Sequence, residues 1–255
     1  MSTQTPSSRR DPGWILRLIV ALLRAPVTAM VGRRWNGGEN IPPHEGFVIA
    51  ANHVSHIDPI MLAHFLYDNG APPRYLAKAA ILDVPVLGRI LRSTGQIPVY
   101  RGTSNAADAY SAACAAVESG EGVIFYPEGT ITRDPGEWPM GGKSGAARVA
   151  LTTGCPVIPI AQWGPNLFLA PYTARPRFLP RKTMEVTAGP PVDLDDLRGR
   201  EITHEVLAEA MDRIMAAITE LLAGIRGEVP PAERLSLHDP RVKQRPRPAR
   251  LTKEG

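Results

Sequence analysis

His53 and Asp58, in the run Asn52-His53-Val54-Ser55-His56-Ile57-Asp58-Pro59, are the residues of this sequence with the clearest chemical use. A neutral imidazole is well matched to taking a proton near pH 7. A carboxylate on its other ring nitrogen fixes the tautomer and stabilises the imidazolium that forms. Such a pair turns a hydroxyl, a poor nucleophile, into an attacking oxygen. The spacing alone carries little, because six His and eleven Asp in 255 residues give about 0.26 chance pairs at any one separation. Position carries more. Pro59 suits a first helical turn, which makes Asp58 the expected N-cap and puts His53 on the preceding turn. In a continuous helix the two side chains would point about 140° apart, so the pair needs a strand–turn–helix junction to meet. The plainer reading is a capping aspartate beside an unrelated histidine. His56 is expected to be structural.

Further charge lies downstream. Arg101 closes an expected strand, where a guanidinium can grip phosphate through two bonds or serve a surface ion pair. Glu128 and Gly129 follow another expected strand, at the carboxyl end where open α/β sheets hold ligands. Gly129 allows backbone to approach an anion closely, while Glu128 reads as a site residue or as a structural ion-pair partner. Lys78 and Lys143 would add positive charge near a phosphate or a thioester carrier. The run Gly136-Glu137-Trp138-Pro139-Met140-Gly141-Gly142-Lys143-Ser144 has the wrong glycine spacing for a nucleotide loop, and Trp138 and Pro139 would hinder a backbone cradle. The chain has no G-x-S-x-G elbow of a serine esterase. Its two cysteines, Cys114 and Cys155, form no zinc-ligand spacing with histidine, which favours a reduced, metal-free protein.

The elements that must position these residues read as α/β. Expected strands are Phe47–Ala51, Arg74–Ala77, Ile97–Tyr100, Val123–Tyr126, Val157–Ala161 and Met184–Ala188. Expected helices are Pro59–Tyr67, Val86–Ser93, Asn105–Ser119 and Ser144–Thr153. This alternation predicts a mixed, largely parallel sheet with helices on its faces. A last helix, about Thr203–Ile225 with Thr203 as its cap, has apolar residues at 207, 211, 214, 218, 221, 222 and 225, a 3.6-residue stripe suited to packing on the core, with membrane contact as the alternative.

Both ends differ in character. Residues 1–11 read as disordered and 12–34 as an amphipathic membrane-association segment. There Arg10, Arg17 and Arg24 drift only about 20° per seven residues and share one face, while Trp14, Ile15, Leu18, Ile19, Leu22 and Leu23 fill the rest. The arginines interrupt the about 20 apolar residues that a spanning helix needs, so the segment suits the interface. Pro26 should bend or end it. Residues 35–226 form the expected catalytic domain, and 227–255 a basic, Pro-rich, extended tail. The net charge of +4 favours anionic partners such as phosphate, a thioester carrier or acidic lipid. With 6% aromatics, not interleaved with the basic residues, nucleic acid is a poor fit.

The residues resemble the glycerophospholipid acyltransferases typified by 1-acylglycerol-3-phosphate acyltransferase. His53 and Asp58 fit that family's NHxxxxD hallmark. Gly95-Gln96-Ile97-Pro98-Val99-Tyr100-Arg101, then Tyr126-Pro127-Glu128-Gly129-Thr130, then Val157-Ile158-Pro159-Ile160 resemble its later blocks in the family's order. The likeness covers about residues 35–190. It implies acyl transfer from acyl-CoA or acyl carrier protein to the sn-2 hydroxyl of lysophosphatidic acid, at the cytoplasmic face of a membrane, without a cofactor. It implies a catalytic role for His53 and Asp58 and phosphate binding by Arg101. Glu128, with Gly129 and Thr130, would orient the acceptor or Arg101. The family usually has arginine directly after Glu-Gly-Thr, whereas Ile131 follows here and Arg133 is displaced. Thioester acyltransferases with HHxxxDG fit less well, since four residues separate His53 from Asp58 and Pro59 follows. The remaining alternatives are a glycolipid or glycerol 3-phosphate acceptor, or a lipid-binding protein without catalysis.

Overall fold

The computed structural model of the chain describes residues 13–78, 83–85, 87–94, 96–99, 103–240 and 242. Its strands are β1 Val31–Asn36, β2 Phe47–Ala51, β3 Arg74–Lys78, β4 Ile97–Val99, β5 Gly122–Phe125, β6 Val157–Trp163 and β7 Lys182–Ala188. Its helices are α1 Gly13–Met30, α2 Asp58–Asp68, α3 Leu87–Ser93, α4 Thr103–Glu118, α5 Gly145–Thr153, the short α6 Pro165–Phe168 and α7 His204–Arg226. The strands form one sheet in the order β1-β7-β6-β2-β5-β3-β4. All pairings are parallel except β6 with β7, so the sheet is mixed and largely parallel, as the alternation implied.

The centre of the sheet explains its composition. Every residue of β2 is buried, and a strand covered on both faces needs a continuous apolar run rather than an alternating one. On one face Leu62, Phe65 and Leu66 of α2 pack on Ile49, Ile124, Ile158 and Ile160. On the other, Ala113 and Val117 of α4, Ala147 and Ala150 of α5, and Leu207, Met211, Ile214 and Ile218 of α7 cover Val48, Ala50, Val123 and Val157. The stripe read along the last helix therefore faces the core, and Thr203 caps that helix by accepting the Val206 N–H at 3.3 Å.

Two expectations at the ends are corrected. The N-terminal helical segment stops at Met30, and residues 31–34 belong to the edge strand β1, which pairs in register with β7. Pro26 lies inside α1. The tail does not leave the domain at Gly227: Leu235 and Val242 are buried against Met140, and the Gly141 N–H donates to the Leu235 carbonyl at 2.9 Å. Apolar knobs in a proline-rich stretch suffice to dock it. Residues 1–11 and 243–255 lie outside the described residues. Among those described, no helix is long and apolar enough to cross a membrane.

Candidate active site

The loops after β2, β5 and β6 leave the sheet at the carboxyl ends of parallel strands, and they meet around His53. Its Nδ1 lies 2.8 Å from Asp58 Oδ2. That oxygen also accepts the backbone N–H groups of Val54, at 2.6 Å, and Ser55, at 2.7 Å. Three donors on one buried oxygen suit an ionised carboxylate, so Nδ1 carries the proton and Nε2 the lone pair. Burial pushes the Asp58 pKa up, and the hydrogen bond and charge of His53 with the two N–H groups pull it back. Oδ1 of Asp58 is buried without a hydrogen-bond partner among the described residues.

The expected N-cap role of Asp58 is therefore corrected. Ile57 is the N-cap, Asp58 is the first helical residue, and its carboxylate turns back over residues 54 and 55 instead of forward into the helix. Forward capping would have carried it away from His53. The backward turn brings the two side chains together.

The main chain of His53 is held by the block that follows β5. Its N–H donates to Glu128 Oε1 at 3.2 Å, and its carbonyl accepts the Thr132 N–H at 2.7 Å. The second oxygen of Glu128 accepts the Met140 N–H at 3.1 Å. Glu128 is buried, and burial raises its pKa to about 8 against the pull of these N–H groups. Asn52, one residue before His53, clasps the end of β6. Its amide donates to the Gln162 carbonyl and accepts the Gln162 N–H, and the Gln162 amide returns a bond to the Asn52 carbonyl.

The ring of His53 lies on that of Tyr126, with centroids 4.4 Å apart and planes 26° apart. Tyr126 in turn stacks on Tyr75, whose hydroxyl donates to the Pro59 carbonyl at 2.6 Å. The Tyr126 hydroxyl lies near Gln162 and Tyr75 but makes no well-formed hydrogen bond among the described residues. Its ring face is what the site uses. Tyr126→Ala should lower kcat about tenfold, the value of one aromatic contact, with acceptor KM unchanged, while Tyr126→Phe keeps near-normal turnover. Steady-state kinetics of both variants checks this.

The other expected residues divide. Gly129 has φ +67°, a region that favours glycine, and a side chain there would meet Lys143 Nζ at 2.6 Å. Lys143 thus lies over Gly129, beside the Glu128 block. Thr130 Oγ1 is 3.4 Å from the Tyr172 hydroxyl. Arg133 donates to the Val242 carbonyl at 2.8 Å, a contact with the docked tail. Lys78 closes β3 on the same carboxyl edge of the sheet. Arg101 lies outside the described residues.

Arg226 was not read as a site residue, yet it supports the site. Its guanidinium sits between Trp138 and Trp163, 4.1 and 4.4 Å from their ring centroids, and donates to the Gly136 carbonyl. The Trp138 carbonyl accepts the Thr132 hydroxyl at 2.7 Å, and Thr132 holds His53. A cavity of about 610 Å³ lies elsewhere, between α7 and β7. Its rim carries Glu185, Asp193 and Glu220, which would repel a phosphate or a thioester carrier.

A family model described as Acyltransferase matches residues 33–163, just over half of the chain. The 1-acyl-sn-glycerol-3-phosphate acyltransferase of Borreliella burgdorferi is 32% identical over 133 residues, covering 52% of this chain and 51% of that one. The chloroplastic 1-acyl-sn-glycerol-3-phosphate acyltransferase BAT2 of Brassica napus is 32% identical over 130 residues, covering 50% of this chain and 36% of that one. The matched segment thus spans about half the length of these curated relatives, or less. The crystal structure of the 1-acyl-sn-glycerophosphate (LPA) acyltransferase PlsC from Thermotoga maritima superposes with a TM-score of 0.64 at 22% identity, over 87% of this chain and 86% of that one, a likeness of fold. A histidine–aspartate pair at the carboxyl edge of a mixed sheet thus stands inside the matched region, and the chain belongs to the acyltransferase family.

Proposed function

We propose that the protein transfers a fatty acyl group from a thioester donor, acyl-CoA or acyl carrier protein, to the sn-2 hydroxyl of 1-acylglycerol 3-phosphate, giving phosphatidic acid. The observation that carries this reading is the 2.8 Å contact between His53 Nδ1 and Asp58, which leaves Nε2 as the free base. In the reaction Nε2 takes the hydroxyl proton as the oxygen adds to the thioester carbonyl. The C–S bond then breaks, the acyl C–O bond remains, and the imidazolium returns its proton to the departing thiolate. Both of the relatives described above being 1-acyl-sn-glycerol-3-phosphate acyltransferases supports the acceptor. Lys143, beside Gly129, supplies positive charge for its phosphate, and the family resemblance adds Arg101 and Lys78 to that role.

The reaction takes place at the cytoplasmic face of the cell membrane. Trp14, Leu18 and Leu22 expose 73%, 50% and 65% of their surfaces along one stripe of α1, while Arg24 turns to Asp68 on α2 at 3.3 Å. That division suits a helix docked on its own domain by one face and on lipid by another.

The test is free-thiol release from an acyl thioester, run with and without lysophosphatidic acid, with the lipid product identified. Release that depends on the acceptor and yields phosphatidic acid is expected. Release without any acceptor would make the protein a hydrolase, and no release with any lipid acceptor would make it a binding module.

A further inference from the structure

The chain between α6 and β7, residues 169–181, is stitched at its root to both halves of the candidate site. Ser55, two residues beyond His53, donates its hydroxyl to the Leu169 carbonyl at 2.7 Å. The Tyr172 hydroxyl donates to the Ile131 carbonyl at 2.5 Å, next to the Glu128-Gly129-Thr130 run. Tyr172 is one of two non-glycine residues at positive φ, at 58°, among those described, a conformation that surrounding contacts must hold in place.

The outer part of the same segment has the opposite character. Residues 173–181 are all exposed. The Arg177 N–H donates to the Phe168 carbonyl at 2.7 Å. Just beyond it Phe178, edge-on to the Phe168 ring at 5.3 Å, and its neighbour Leu179 leave 50% and 86% of their surfaces in water, between Arg175, Arg177 and Arg181 in sequence. Single apolar residues on a surface are ordinary. A neighbouring exposed Phe-Leu pair, flanked in sequence by arginines and seated on Phe168, is the composition of an interfacial contact, in which apolar side chains enter the acyl boundary and cations stay with the phosphates. Arg181 also ties this end of the segment to the junction of α1 and β1, donating to the Thr28 and Val31 carbonyls at 2.7 and 3.1 Å, beside the exposed Met30.

We propose that residues 173–181 form an interfacial strap that inserts Phe178 and Leu179 into an anionic lipid surface, with Arg175 and Arg177 on its phosphates, and so anchors the loop that brackets His53. The strap is a second lipid contact in addition to α1, to which Arg181 ties it, and it rests on the reading that the acceptor is a membrane lipid. Because the segment touches both halves of the candidate site through Leu169 and Tyr172, docking of Phe178 and Leu179 sets the site at the depth of the acceptor's headgroup.

The experiment uses the full chain with sucrose-loaded vesicles of phosphatidylglycerol or phosphatidylcholine, and compares the wild type with Leu179→Glu and with Arg175→Glu/Arg177→Glu. Each variant is expected to sediment about tenfold less with phosphatidylglycerol and to lose activity in proportion on acceptor embedded in those vesicles. Leu179→Glu should keep wild-type activity on a short-chain, water-dispersed acceptor. Unchanged sedimentation of both variants would overturn the proposal, and so would wild-type binding to phosphatidylcholine as tight as to phosphatidylglycerol. Absence of transfer to every acceptor would remove the acyl-transfer reading, while the sedimentation series still decides on the strap.

Discussion

His53→Ala is expected to lower kcat by about 10³-fold while the protein stays folded, a loss within the range of a positioned general base. The hydroxyl of the acceptor must shed a proton as it attacks, and the lone pair on His53 Nε2 is the group placed to take it. Glu128 does not substitute, since both its oxygens already accept backbone N–H groups. Folding should survive because the bonds to Glu128 and Thr132 run through the main chain of His53. Asp58 would also keep its two N–H donors from Val54 and Ser55. Asp58→Asn should cost a similar factor by turning the ring to the wrong tautomer. The double variant should be little worse than either single one, because residues that act as a unit lose their effect together. Thiol-release kinetics with circular dichroism checks all three. A His53→Ala protein that keeps a tenth of normal turnover would remove this residue from the chemistry.

Glu128→Ala should damage both stability and turnover. It leaves the His53 and Met140 N–H groups buried without acceptors, at about 1–3 kcal/mol each, and frees the backbone that carries the base. We expect an unfolding free energy lower by about 2–6 kcal/mol and kcat lower by about 10²-fold, as a misplaced catalytic group costs. Acceptor KM should change little, which separates this role from direct contact with the acceptor. Glu128→Gln keeps one acceptor but turns an amide N–H toward the other donor, so it should fall between. The pH dependence has a definite sign. With its pKa raised from 4.5 to about 8, Glu128 keeps a proton that the unfolded chain gives up. Stability relative to Glu128→Gln should therefore fall as pH rises across that window and level off above it. Urea unfolding of both proteins at stepped pH measures the difference. A constant gap would mean that the carboxyl is charged throughout.

The sequence made the architecture readable wherever local pattern and tertiary role agreed. Continuous apolar runs at 47–51 and 157–161 are what doubly covered strands require, and the stripe from Leu207 to Leu222 is what a core-facing helix requires. Edge strand β1 escaped because Val31-Gly32-Arg33-Arg34-Trp35-Asn36 is too polar to announce itself, and its pairing comes from β7, some 150 residues away. The histidine–aspartate pair was legible as spacing, but its meeting depends on Asp58 turning backward, which no local rule specifies. Asn52 and Tyr126 stood inside the quoted motifs without a role, since stacking and clasping are relations between loops. Gln162 left a fainter sign, a polar residue at the end of an apolar strand. Tyr172 and Arg226 left none.

Arg226 gives the carboxyl-terminal arm a weight out of proportion to its place in the chain. Held between Trp138 and Trp163, it braces the loop whose Thr132 grips the backbone of His53. Shortening the protein by even the last turn of α7 would thus slacken a residue more than 170 positions earlier. Anyone trimming or fusing this end for expression is adjusting the candidate site from a distance.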